Sequence, residues 1–391
     1  MKTLKRKLGE AYPAFTLVEL MVSTAIISLL MVILTTMVNQ FSQTWRYASS
    51  KVEAFQAARD GFESMTRKLS QATLNTYWDL YYVNIGGRQA PKDFLRQSQL
   101  RFISGSIAKL APDSSRFTHG VFFQAPLGVV EDRAGLGSMK DLLNTWGYFV
   151  EEGDDTLLRP SFLQGRVPIR RRGRLMELMQ PAEAMSVYDL DPKGAPSPVA
   201  GDQLRWFRSA LEGSSRPVRS IAENIVGLII WPKLSATDSN ARRDLGQSPL
   251  SPDYTYDSSL LSFKSAKFGS ATSPIILNEG AKVNNPNDPT DAATINPKNQ
   301  LPPIVQVTLV AIDEQSAARI EAQGTSGNFH QFTDGLFQVA CAPGTRSNQQ
   351  TQYDSDLKTM EQRLVNAKVT YRIFTTNVLI RGAKWSVAQT K

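Results

Sequence analysis

One carboxylate and one run of arginines are the side chains whose type and spacing could do chemistry. Glu19 is the single charge in FTLVELMVSTAIISLLMVILTTMV, Phe15 to Val38, which otherwise holds no charged residue, Gly or Pro. An ionised carboxylate near the centre of a membrane-spanning helix costs on the order of 3 kcal/mol, and less near an end. Glu19 is therefore either tolerated by lying close to the interface or matched by a cation at its own depth. Cleavage between Ala14 and Phe15 would supply that cation, because it frees an α-amino group four residues before Glu19. The second feature is RVPIRRRGRL, residues 166–175, with Arg166, Arg170, Arg171, Arg172 and Arg174. Such a cluster can contact the phosphates of DNA or another polyanion. It can equally form a solvated or acid-paired strand or loop, which is the preferred reading. Tyr188 and Trp206 could add stacking to the first alternative.

Other reactive side chains are sparse. Cys341 is the only cysteine, so no intramolecular disulfide forms, and with two histidines, His119 and His330, a structural zinc site is not expected. Cys341, before Ala-Pro-Gly, reads as chemically quiet. His119 alternates with apolar residues and reads as structural. No phosphate-binding loop or nucleophile elbow occurs, and Gly86–Gly87 is a turn. The expectation is a protein that is not an enzyme and carries no cofactor or metal.

The elements that must position these residues emerge from pattern. The 391 residues carry a net charge of +8, and Lys2, Lys5, Arg6 and Lys7 precede the apolar run. The remaining basic excess is too diffuse to argue nucleic-acid binding. Residues 1–14 read as a basic leader and 15–38 as a transmembrane helix about 36 Å long, at roughly 1.5 Å per residue. The basic flank keeps the N-terminus cytoplasmic and places the chain beyond the helix outside the cytoplasmic membrane. Residues 39–76 read as an amphipathic stem, with Phe41, Trp45, Ala48, Val52, Phe55, Phe62, Met65 and Leu69 forming a stripe. Glu63–Arg67 is a candidate i, i+4 pair on its other face, and Gly61 a candidate bend.

Residues 77–391 read as an α+β head with a mainly antiparallel sheet. Candidate strands are 100–104, 118–125, 145–152, 203–210, 224–232, 303–313, 367–374 and 377–387, with a short helix at Leu357–Leu364. Residues 233–302, rich in Asn, Asp, Pro and Ser, read as a long loop insertion without an EF-hand spacing.

Ala14–Phe15–Thr16–Leu17–Val18–Glu19–Leu20 after a basic leader resembles the processing site of type IV prepilins and type II secretion pseudopilins. That resemblance implies cleavage after Ala14 by a prepilin peptidase, N-methylation of Phe15 by the same peptidase/methyltransferase, and pairing of the new amine with Glu19 of a neighbouring subunit. Ala14 stands where the family usually has Gly, and Thr36 where many major pilins have a kinking Pro. The order of long helix, strands and a late NIVGLIIW…PPIVQVTLV…VTYRIFTTNVLIRGA block is similar to the J-like minor pseudopilins. KVEAFQAARDGFESMTRKLSQATLNTYWD and RLMELMQPAEAMSVYD resemble the Verru-Chthon cassette protein C family more closely. The implied role is a structural subunit stored in the cytoplasmic membrane and assembled with other pilin or pseudopilin subunits. The alternatives are a single-pass anchored binding module, contacting a polyanion or nucleic acid through 166–174, or an unrecognised enzyme.

Overall fold

The computed structural model describes residues 16–137, 139, 141–156, 159–163, 165–187, 204–212, 216–235, 250–259, 299–323, 328–340 and 349–383. The protein is α+β, with one long N-terminal apolar helix and antiparallel sheets. It divides into two compact units, Met1–Glu53 and Ala54–Lys391. Ala14 and Phe15 lie outside the described residues.

Helix α1 (Leu17–Leu69) begins at the N-cap Thr16 and ends with Arg67 and Lys68 in its last turn, where cations suit the exposed carbonyls. In the first unit, Leu17–Trp45 is long and apolar enough to cross a membrane, and its window is unburied. The expected stripe does not continue evenly along the helix. Phe41 and Trp45 are exposed and stack on one another, Ala48 and Val52 lie outside the described side chains, and burial starts further on. In the second unit, Ala58, Phe62, Met65 and Leu69 are buried at spacings of four, three and four, so this segment presents one face to the core. Gly61 marks a close approach and not a break: a Cβ there would sit 3.3 Å from both Ala222 Cβ and the Ile221 carbonyl. The helix ends at Leu69, seven residues before the expected stem end, and the pair on its outer face is Arg59–Glu63 at 2.8 Å.

The strands are β1 (Tyr77–Ile85), β2 (Arg88–Gln97), β3 (Ile103–Ser106), β4 (Arg116–Pro126), β5 (Leu143–Asp154), β6 (Arg171–Gln180), β7 (Val218–Glu223), β8 (Ile225–Lys233), β9 (Tyr256–Asp257), β10 (Ile304–Ile312) and β11 (Tyr371–Leu379). Hairpin β1–β2 closes through Gly86–Gly87, both at positive φ, which suits the right-handed strand twist. A six-stranded sheet runs β7-β6-β5-β4-β3-β9 and a three-stranded one β11-β10-β8, with antiparallel pairing throughout. Strands β8 and β10 are buried along nearly their whole length, which is why both read as continuous apolar runs instead of alternating ones.

Helices α2 (Ile107–Leu110) and α3 (Arg133–Leu136) are single turns, and further along come α4 (Arg205–Leu211), α5 (Glu314–Ala322) and α6 (Gln349–Asn366). QLRWFRSA, expected as a strand, is helical from Arg205. Phe207 and Leu211, four apart, are buried in one apolar cluster, and Phe207 stacks on Phe122 at 3.9 Å. The two strands expected at 367–374 and 377–387 are the single strand β11, and residues 384–391 lie outside the described part.

The expected insertion at 233–302 is a loop only in part. Leu250, Tyr254 and Tyr256 are buried, β9 pairs with β3, and the Tyr256 hydroxyl donates to the Gln300 carbonyl at 2.9 Å. Residues 236–249 and 260–298 lie outside the described part.

Candidate functional site

The helix start in the first unit is built by a reciprocal cap. The Thr16 hydroxyl accepts the Glu19 N–H at 3.3 Å, while Glu19 Oε2 faces the Thr16 N–H at 3.4 Å and its hydroxyl at 3.3 Å. This is a capping box: two otherwise unpaired donors of the first turn are satisfied, and the carboxylate sits at the positive end of the helix. Glu19 thus has a local role that does not require a neighbouring chain. The T-x-x-E spacing that announces it was present in the sequence and was overshadowed by the apolar run.

In the second unit, β6 carries four of the five arginines singled out by sequence or sets them at its edge, and each meets carboxylates. Arg170 Nε lies 3.6 Å from Asp155, and its Nη1 3.5 Å from Glu314. Arg171 pairs with Glu152 at 2.9 Å. Arg172, whose side chain is 2% exposed, donates to Glu314 and Glu321 at 2.7 Å each. Arg174 pairs with Glu223 at 3.1 Å and donates to the Gly153 and Asp154 carbonyls at 2.9 Å. Arg166 is exposed and enters no ion pair among the described residues.

Glu314 and Glu321 stand seven apart on α5, two turns along one face, so a single guanidinium fork spans both. Burial pushes the Glu314 carboxyl up, but hydrogen bonds from Arg172 and Asn224 outweigh it and hold the group below its ordinary range. Glu321 is held low against the same opposition by Arg172 and the Arg171 N–H. The cluster clamps α5 to the start of β6. A phosphate could reach Arg170–Arg174 only by displacing carboxylates. Trp206 is buried on α4, and Tyr188 lies outside the described residues.

Further buried ionisable groups lie away from this cluster. Glu177 on β6 is fully buried and accepts from Lys68 and the Tyr148 hydroxyl at 2.7 Å each and from Arg219 Nε at 2.7 Å. Burial first, and then the Glu177 charge, push the Tyr148 hydroxyl well up. Lys68 also lies 4.0 Å over the Trp146 ring, so the last turn of α1 is pinned to β5 and β6. The pattern reading missed Glu177, although a lone charge inside LMELM was the available signal.

His119 occupies an irregularity of β4 beside Thr118, which has φ 63°. Its Nδ1 accepts the Ile230 N–H at 3.1 Å and its Nε2 faces the Phe337 carbonyl at 3.0 Å. Thr118 takes the Leu228 N–H at 3.2 Å. Together these side chains cap the outer edge of β8, which no strand covers among the described residues. That pattern needs the neutral imidazole with its proton on Nε2. Burial lowers the His119 pKa to about 4.

His330 lies 3.3 Å from Glu152, which also accepts the Phe329 N–H, so this pair anchors a turn. Cys341 lies outside the described residues. Among the described residues no group of three or more His, Cys, Asp or Glu side chains is arranged to hold a metal ion. No family model, curated protein or solved structure matches the chain.

Proposed function

We propose that the chain is a pilin-like structural subunit of the minor pseudopilin kind, J-like in the order of its elements and nearest to the Verru-Chthon cassette protein C family. Residues 1–14 are removed after Ala14, Phe15 is N-methylated, and the subunit joins a filament or pseudopilus through the N-terminal part of α1. The observation that carries this reading is the helix start. Just past the Ala14–Phe15 bond, Thr16 caps an apolar helix that carries Glu19 in its first turn and whose side chains are exposed on every face from Leu17 to Trp45. Such a helix needs lipid while the subunit is stored and other helices once it is assembled. Glu19 would then exchange its local partners for the Phe15 amine of an adjacent subunit, which offsets its burial and sets axial register.

The mass of the mature N-terminal peptide tests processing: a start at methylated Phe15 is expected, and an intact Met1 overturns the reading. Assembly is tested by separating the two roles of Glu19. Glu19→Gln preserves the capping geometry and removes the charge, so it should insert normally yet fail to enter filaments. Thr16→Val weakens the cap and keeps the charge, so it should still enter. Normal incorporation of Glu19→Gln would remove charge pairing from the mechanism. Polyanion binding through Arg170–Arg174 is disfavoured by the carboxylates already on those guanidinium groups. It would require binding by the second unit that weakens steeply with salt.

A further inference from the structure

The connection from β5 to β6 is a loop whose two feet are tied by one side chain. Arg159 donates to the Val167 carbonyl at 2.6 Å and to the Pro168 carbonyl, and pairs with Asp155 at 2.7 Å. Between the feet the Leu163 N–H reaches the Pro160 carbonyl at 3.0 Å and the Arg166 N–H the Leu163 carbonyl at 3.2 Å. This tied loop displays large apolar side chains to solvent: Phe162 is 68% exposed, Val167 43% and Ile169 62%. Arg166 is exposed beside them, and Arg170 is half exposed. Exposed apolar side chains beside an exposed cation match the interfacial layer of an anionic bilayer, where apolar groups and phosphates lie within a few ångströms of each other.

The direction of the chain within the second unit adds a positional argument. Gly61 packs on Ala222, which pairs with Leu175. Lys68 reaches Glu177, and the Thr73 N–H reaches the Gln124 carbonyl, at the level of Thr145 and Gln180. The stem segment therefore runs parallel to β6, away from the loop, and the chain enters this unit at the loop's end.

We propose that this loop rests on the lipid surface, with Phe162, Val167 and Ile169 entering the interfacial region and Arg166 meeting anionic headgroups. The proposal rests on membrane anchorage by α1 and is independent of filament assembly.

The test uses the full chain in vesicles of phosphatidylcholine, with and without phosphatidylglycerol. On a Cys341→Ser background, Phe162→Cys carries an environment-sensitive dye, and Leu379→Cys, exposed at the far end of β11, carries it as the control. Doxyl-labelled lipid should quench the dye at 162 several-fold more than at 379. The difference should grow with phosphatidylglycerol and shrink with Arg166→Glu. Equal quenching at both positions overturns the proposal, as does quenching indifferent to lipid charge. Shielding at 162 that grows with protein density but not with doxyl lipid assigns the loop to a second copy and also overturns it. Failure of the chain to float with vesicles removes the anchorage itself, which flotation reports separately from loop contact.

Discussion

His119 holds its proton on Nε2 because Nδ1 is occupied by the Ile230 N–H, so charging the ring breaks the edge cap of β8. Its pKa is lowered from 6.5 to about 4 by burial, while the unfolded chain protonates near the ordinary value. Between those values the unfolded state binds more protons, so stability is full above about pH 6.5 and falls as pH drops toward 4. The loss approaches about 3 kcal/mol. Denaturant melts at stepped pH should show that slope in the native chain and little of it in His119→Gln. A slope above pH 4.5 that the substitution leaves unchanged would remove His119 from the dependence, because Glu314 and Glu321, with lowered pKa values, act only at lower pH. Glu177 is a second buried side chain held by its partners, Lys68, Arg219 and the Tyr148 hydroxyl. Its truncation leaves Lys68 with its buried counter-charge removed, so Glu177→Ala should cost about 3–5 kcal/mol in urea melts. A loss under 1 kcal/mol would mean that water replaces the carboxylate.

Elements were legible where their own side chains announced the burial. The continuous runs of β8 and β10 and the alternating or aromatic runs of β4 and β5 were readable because their faces pack in the sheets. Strand β6 was not: RRGRLMELMQ interleaves charges whose partners, Glu314, Glu321 and Glu223, stand 49 to 149 residues away. The α4 segment misled because Leu204 and Trp206 alternate with polar residues, while the four-residue step from Phe207 to Leu211 decided its packing. Where β6 crosses β8, contact replaces propensity altogether. A Cβ on Gly173 would lie 2.1 Å from the Ile225 carbonyl oxygen, which belongs to backbone and cannot rotate away. Gly173→Ala should therefore destabilise by about 3 kcal/mol, read as a drop in thermal midpoint. A neutral result would mean that β6 and β8 can separate there without loss.

The second unit includes the end of α1 as part of its core. Phe62, Met65 and Leu69 share one apolar cluster with Leu228, Val307 and Leu309, and their burial contributes on the order of 6 kcal/mol. That is comparable with the whole stability of an ordinary domain, about 5–15 kcal/mol. A chain starting at Ala54 should melt cooperatively by circular dichroism, whereas one starting at Asn75 should lack a cooperative transition. Equal melting of the two would show that the stem segment is dispensable to the core. By itself, the sequence determined the apolar helix, the basic flank and the buried strands, because each rests on residues adjacent in the chain or repeating at a fixed period. Only the tertiary structure decided that the arginines of β6 meet acids of α5, β5 and β7, and that His119 caps an edge strand. It also decided that part of the polar stretch before β10 supplies core tyrosines. Those outcomes depend on which distant segments meet, and no local period encodes the partner of a charge.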